Sequence, residues 1–511
     1  MLSVVHGSVV VGINAFLVEI EVDVSPGLPG FNIVGLPESA VKESRERVRA
    51  AIKNCGYGFP TQRITANLAP ADIKKEGTGL DLPLALAILA IAGAIPQEAM
   101  EGLAFCGELS LDGTIRPAKG ILPIALSLRK KGKKGFVLPK ENAAEAAVVQ
   151  GLDVYPVEHL SQVSEFLKGE ISIEKKKVDL SQLFSCQEGK GPDFCDVIGQ
   201  EMAKRALEVA AAGGHNVSMV GPPGSGKTML ARRLPSILPP LTFDEALETT
   251  SIYSVAGLLP RDSSLIVKRP FCAPHHTISD AGIIGGGTVP KPGQVSLAHN
   301  GILFLDELPE FRKNCLESLR QPMEDGFVTI SRAAMSLVFP SRFTLVAAQN
   351  PCPCGHFGQE GQICSCTSAQ IHKYRTKVSG PLLDRIDIQI EVPAVPYNEL
   401  SKSRRGEPSE VIRQRVISAR KIQEKRFNKV AIYSNAQMSV REINRFCHLD
   451  DECRKFLEEA SAKLHLSARA YHRIIKISRT IADLAGSKHI QVEHMSEAIQ
   501  YRNFDRDNWL L

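Results

Sequence analysis

VSMVGPPGSGKTMLARRLPSIL, residues 217–238, reads as a short buried strand, a glycine-rich turn and a helix. In its central octet, Gly221, Gly224 and Gly226 let the backbone turn with its N–H groups inward, where they can surround phosphate oxygens that a Cβ would crowd. Pro222, Pro223 and Ser225 complete the loop, and Lys227 adds a point charge for β- and γ-phosphates. Thr228 offers a hydroxyl to Mg2+ at the start of a helix whose N-terminal dipole also favours negative charge. Strand, loop and helix in this order are what a nucleoside-triphosphate site requires.

Hydrolysis needs two further carboxylates, one for the metal and one to orient the attacking water. GILFLDEL (301–308) supplies both at the end of an apolar strand: Asp306 for Mg2+ and Glu307 to activate water. FTLVAAQN (343–350) is another buried strand, and Asn350 ends it in position to sense the γ-phosphate or fix the water. Taken alone, an asparagine at a strand end is a turn former, so this role depends on the two motifs before it.

The chain has 511 residues, 43% hydrophobic and 23% charged, which is globular usage with room for two to four domains. Its longest apolar run, LPLALAILAIAGAIP (82–96), falls short of the roughly 20 residues of a bilayer span and reads as a buried helix. The N-terminus alternates like strands and lacks the early positive cluster of a signal peptide, so a cytoplasmic protein without membrane contact is expected. Twelve cysteines then read as thiols or metal ligands. The net charge of +5 permits an acidic partner without demanding one.

Strand-like runs at 4–11, 15–24, 104–109 and 135–138 alternate with helical ones at 38–54, 80–94 and 142–150, giving a mixed α/β domain over 1–166. A polar stretch at 167–192 reads as a linker. The phosphate-loop domain follows over 193–395, and from 396 to 511 the pattern is helical.

These parts resemble an AAA+ ATPase, with IGQEMAKRALEVAAAGG (198–214) similar to the segment that leads into its nucleotide pocket. RPFCAPHHTISDAGIIGGG (269–287), SLAHNGILFLDELPEF (296–311) and SGPLLDRIDI (379–388) narrow the resemblance to the magnesium-chelatase-like branch and, within it, the YifB/ComM family. It covers essentially the whole chain. By that resemblance Arg385 acts across a subunit boundary on a neighbour's ATP in a homohexameric ring. Such a cationic fork can be worth about 10³ to 10⁵ in rate; read without the family, Arg385 is equally a surface ion-pair residue. Arg469, in SARAYHRIIKISRTIADLAG (467–486), matches the family's second sensor in a helical lid, and Arg473, one turn on, is a second candidate.

The interval between Lys227 and Asp306 exceeds what a strand–helix–strand connection needs, so it carries an insertion. Adjacent His275 and His276 point apart on helix or strand and read as structural rather than as a metal pair. In related ATPases this place carries a hairpin projecting to the pore, which puts the tip at 285–293 near a substrate polymer. CPCGHFGQEGQICSC (352–366) places Cys352, Cys354, Cys364 and Cys366 in a pattern suited to tetrahedral Zn2+. His356 is an alternative ligand there; an iron–sulfur cluster and free thiols are the competing readings.

In the N-terminal domain, NLAPADIKKEGTGLDLPLALAIL (67–89) and CGELSLDGTIRPAKGILP (106–123) resemble the proteolytic domain of Lon, a ribosomal-protein-like α/β fold. Gly79 stands where that family has its nucleophilic serine and Leu122 where it has its lysine. Without either group peptide cleavage has no chemistry to run on, so the domain is expected to bind a protein partner, position or regulate. Its basic helix at 41–54 could meet phosphates, although a solvated face is the plainer reading.

Residues 402–429 hold ten Lys or Arg against three acids, an excess compatible with a polyanion and equally with a solvated helix face. ComM-like members are implicated in DNA branch migration during integration of transforming DNA, and the resemblance therefore implies an ATP-driven DNA translocase. The rivals are a chelatase-type protein-remodelling ATPase and a client-binding regulator that docks through an inactive protease-like domain.

Overall fold

The computed structural model describes residues 2–185, 191–260, 263–287, 290–332, 335–359, 362–395, 406–428, 430, 432–464 and 466–502. They divide into two compact units.

The first unit comprises Met1–Gln187, Thr242–Val267 and Ser331–Phe339. Its larger sheet runs β1 (Leu2–Val11), β2 (Asn14–Ser25), β4 (Arg63–Ala69) and β3 (Gly30–Val34) in that spatial order, with β3 on an edge and parallel to β4. Alternation decides the faces: in β4, Ile64, Ala66 and Leu68 are buried while Arg63 points out. The helix Asp81–Ile91 carries apolar residues all round and is buried from Asp81 to Leu89, as its lack of a polar face requires.

The expected strand at 104–109 is two short pieces, β5 (Leu103–Phe105) and β6 (Glu108–Leu109). The chain changes partners between them, Cys106 N donating to Val137 O and Gly107 N to Gly79 O. β6 pairs with β7 (Ile115–Arg116), and β5 joins β8 (Gly135–Pro139) and β9 (Asp153–Val157) in a parallel sheet. The helix expected over 142–150 is α-helical only at Ala143–Ala146. The stretch read as a linker carries a short helix, Leu180–Ser185.

Within the span expected to form the phosphate-loop domain, Thr242–Val267 packs with this first unit. The helix Phe243–Ala256 brings Ser254 to the buried Glu145 carboxylate, and Gly120 N donates to Ser254 O. Periodicity identifies such a helix but not its partner.

The second unit comprises Glu188–Leu241, Lys268–Ile330 and Pro340–Leu511. It is built on β10 (Val217–Val220), β11 (Phe271–Cys272), β14 (Ile302–Leu305), β17 (Thr344–Gln349) and β18 (Ile388–Glu391). Between these lies a small two-stranded sheet, β12 (Gly285–Gly286) with β13 (Lys291–Pro292); the chain also forms the two-stranded pair β15 (Phe327–Arg332) and β16 (Met335–Pro340), of which Ser331–Phe339 count with the first unit. The five-stranded order is β11-β14-β17-β10-β18, every pair parallel. Strands such as VSMV and ILFL are buried at every residue, as strands covered on both faces must be. The helices Ser409–Phe427, Val440–Phe446, Asp451–Leu464, Ala468–Leu484 and Val492–Gln500 share one apolar core with this sheet, from Phe194 to Tyr501. Residues 396–405, which follow the boundary expected at 395/396, lie outside the described residues.

Candidate active site

A parallel sheet delivers its loops to one edge, and the carboxyl ends of β10, β17 and β14 carry Gly221, Asn350 and Asp306 to the same place. Gly221 is obligatory: a Cβ there would lie 2.1 Å from Val392 O, because the loop leaves β10 pressed against the end of β18. Gly224 and Gly226 take φ of +74° and +86°, the left-handed conformation that turns the backbone inward. Gly226 caps the helix Lys227–Ile237, whose first turn faces the loop.

Lys227 is 8% exposed. Its Nζ donates to Gly221 O at 2.7 Å and Pro222 O at 2.8 Å, with Ser225 Oγ at 3.4 Å and Asn350 Oδ1 at 3.3 Å. Burial holds its ammonium below the ordinary lysine range, and the Asp306 carboxylate opposes this only in part. Thr228 Oγ1 donates to Asp306 Oδ2 at 2.7 Å. A hydroxyl and a carboxylate so placed are the donor set an octahedral Mg2+ takes beside substrate phosphates.

Glu307 departs from its neighbour in direction. It adopts φ +54°, and its carboxylate lies 3.4 Å from His276 Nδ1. The histidine pair read from sequence as structural thus divides: His275 bonds Thr277 Oγ1, and His276 faces the expected catalytic base. A glutamate forced into a left-handed turn is a local strain of the kind concentrated at functional sites.

Arg385 and Arg469 lie elsewhere. Both are at the amino-terminal end of β18, whereas the phosphate loop abuts its carboxyl end. At about 3.3 Å per residue the strand puts roughly 13 Å between the two ends. Arg385 is ion-paired with Glu324, donates to Pro381 O at 2.6 Å, and is only 10% exposed in its side chain. Arg469 is exposed, 3.7 Å from Asp384. Arg473 is engaged structurally, with Nε 3.4 Å from Asp387 Oδ1 and Nη1 donating to Ile386 O.

Cys352, Cys354, Cys364 and Cys366 converge, all four sulfurs lying within 4.8 Å of one another. The separations of 3.3, 3.5 and 3.7 Å among Cys352, Cys354 and Cys364 approach the roughly 3.8 Å edge of a tetrahedron with Zn–S of about 2.3 Å. His356 instead bonds Gln359. This loop touches the nucleotide cradle directly, since Gly355 is packed against Pro223.

Four of the ten basic residues read at 402–429 are engaged within the fold. Arg415 pairs with Glu208 and Glu407, Arg426 with Asp483, Arg413 with Glu410, and Arg420 donates to Ala211 O. Lys402, Arg404, Arg405 and Lys429 lie outside the described residues, as do 288 and 289 at the expected hairpin tip.

Where the Lon-like domain would hold its nucleophile, Gly79 has no side chain, and Leu122 is fully buried with its N–H on Glu145 Oε1 at 2.9 Å. A Cβ at residue 79 would meet Cys106 Sγ at 3.0 Å, but that thiol is no substitute. Burial, reinforced by Glu145 and Asp81, pushes it up to about 12.

Three family models match the chain. The one described as "Magnesium chelatase, subunit ChlI" matches residues 193–400, "Subunit ChlI of Mg-chelatase" matches 20–142, and "Magnesium chelatase, subunit ChlI C-terminal" matches 406–502. The chain is 45% identical over 505 residues to the competence protein ComM of Haemophilus influenzae, covering 98% of this chain and 97% of that protein. The chain belongs to the YifB/ComM family. It is likewise 44% identical to the YifB protein of Escherichia coli over 99% of this chain and 98% of that one. Similarity to the magnesium-chelatase 67 kDa subunit of Chlorobaculum parvum, 28% over 162 residues, covers only 31% of this chain and 23% of that subunit. The YifB/ComM family is thus matched along its full length, as an AAA+ ATPase of the magnesium-chelatase-like branch. Among the described residues no helix is long and apolar enough to cross a membrane.

Proposed function

We propose that this chain is an ATP-driven DNA translocase that works as a homohexameric ring and promotes branch migration at recombination junctions. The observation that carries the reading is the separation of the two halves of the chemistry. One chain offers a cradle with Lys227, Thr228, Asp306 and Asn350 converging on it, while Arg385 and Arg469 lie at the opposite end of β18. Arginines at that end of the strand are set apart from their own chain's cradle, and a ring would supply them from the neighbour. The competence protein named among its full-length relatives favours DNA as the polymer.

Each residue then has a task. Lys227, which donates to the loop carbonyls, is placed to turn to β- and γ-phosphate oxygens; Thr228 and Asp306 would hold Mg2+, which would supply charge neutralisation there. Glu307 takes the proton of the attacking water and Asn350 orients it. Cys352, Cys354, Cys364 and Cys366 would hold a structural Zn2+, which would fix the shape of the loop beside Pro223. No task falls to a peptidase, and the N-terminal unit is left to bind partners.

ATP turnover with and without single-stranded or four-way-junction DNA tests this. The reading predicts stimulation by DNA and binding that weakens steeply with salt. Equal turnover in both conditions together with no salt-sensitive DNA binding rejects it in favour of a protein-remodelling ATPase.

A further inference from the structure

We propose that the N-terminal unit captures an extended, acidic peptide segment of a protein partner by adding it as a fifth strand along the free edge of β3.

Among the described residues β3 has a hydrogen-bonded neighbour on one side only, β4. Over the exposed face of the β3–β4 pair lies a groove of about 350 Å³ whose walls include Asn32, Val34, Lys42, Arg45, Arg63 and Thr65, with no acidic residue among its lining. Lys42 and Arg45 rise from the helix Ser39–Asn54 on one wall, and Arg63 from β4 on the other. All three are exposed, and none has an ion-pair partner among the described residues. Arg45 is positioned at the strand itself, its Nη1 donating to Phe31 O at 3.3 Å and its Nε to Lys42 O at 3.1 Å.

Charges beside a sheet edge can instead serve to repel other strands. Edge protection of that kind places the charge on the edge strand, or shortens or kinks it. β3 reads Gly-Phe-Asn-Ile-Val, carries no charge of its own, and is followed by apolar residues left in solvent, Val34 at 46% and Leu36 at 57% exposure. An uncharged five-residue edge flanked by unpaired cations and exposed aliphatic side chains complements a strand whose side chains alternate acidic and apolar. At about 3.3 Å per residue it accommodates roughly five residues of such a segment. A nucleic-acid backbone would satisfy the cations but leave the row of strand amides and carbonyls unused.

The inference is independent of the translocase reading, because the probes below do not require ATP turnover or DNA stimulation. The full chain is titrated against a fluorescent decapeptide of alternating glutamate and valine, its lysine-for-glutamate counterpart, the acidic peptide N-methylated on alternate residues, and a labelled oligothymidine. We expect saturable anisotropy changes with the acidic peptide alone. Affinity should fall at least tenfold in the triple variant Lys42→Glu, Arg45→Glu, Arg63→Glu, with basal ATP turnover retained. Equal binding of the N-methylated peptide overturns strand addition without relying on any variant. Oligothymidine binding that is lost in the triple variant while the acidic peptide fails to bind assigns the groove to nucleic acid and overturns the proposal. A change in the assembly mass of the triple variant assigns the edge to a second copy of the chain, and also overturns it.

Discussion

Gly355 of the four-cysteine loop lies so close to Pro223 of the phosphate loop that a Cβ on it would come within 2.5 Å of Pro223 Cδ, and its φ of +87° adds a second obstacle to any side chain. The shape of the cysteine loop is therefore felt at the nucleotide. Gly355→Val is expected to weaken binding of a fluorescent ATP analogue at least several-fold without unfolding the protein, and, if the proposed zinc is held by the four cysteines, treatment with a chelator should do the same. Unchanged affinity after both treatments would separate the two loops functionally.

Lys227→Ala should abolish nucleotide binding, whereas Glu307→Gln should keep binding and lose about 10² to 10⁴ in turnover, the usual worth of a general base. The Glu307 carboxylate lies 3.4 Å from His276 Nδ1, a contact that competes with its work as a base. His276→Ala is expected to raise basal turnover with KM for ATP unchanged. Isothermal binding and steady-state kinetics on the three variants check this, and full turnover by Glu307→Gln removes it as the base.

Arg385 is held by Glu324 of its own chain. To act on a neighbour's ATP it must leave that partner, so Glu324→Gln should raise turnover while Arg385→Ala lowers it by about 10³ or more. Mixing Arg385→Ala subunits with Lys227→Ala subunits should restore activity, since each lacks only one half of a shared site. Failure of every mixture to exceed its parents argues against a shared site.

How much of this was legible in the sequence follows from the range of the interactions. The phosphate loop, Asp306 and Asn350 each close a short apolar strand, so spacing along the chain locates them and parallel pairing does the rest. His276 and Glu324 carry no local signal; their roles exist only because folding brings them to Glu307 and Arg385. The same holds for Arg415, Arg420 and Arg426, which composition offers to a polyanion and packing commits to Glu208, Ala211 O and Asp483. The helix Phe243–Ala256 was hidden in the same way, its place beside Glu145 being a tertiary choice that no periodicity records.

Asp387 fastens the Ala468–Leu484 helix to the sheet, bonding His215 Nδ1 and Asn216 N at 3.3 Å and facing Arg473. Burial alone would raise its pKa, but the His215 bond and the Arg473 charge outweigh it and hold the carboxyl well below the usual carboxylate range. A depressed carboxyl contributes stability that is fully present above the unfolded value and lost as pH falls through the folded one. Its contribution should therefore be constant from neutral pH down to the ordinary carboxylate range and fade only below it. Asp387→Ala is expected to cost about 3–5 kcal/mol, as breaking a buried pair does. Denaturant titrations at pH 7 and pH 3 measure both, and a loss under 1 kcal/mol would place the fastening elsewhere.

The central claim is that ATP hydrolysis at Lys227, Asp306 and Glu307 moves DNA junctions. A synthetic mobile four-way junction, incubated with the protein and ATP and resolved by native gel, tests it most directly. The account predicts conversion to duplex products with ATP, none with a non-hydrolysable analogue, and none with Glu307→Gln. An intact junction in the presence of vigorous ATP turnover, or conversion that proceeds equally without ATP, would contradict it.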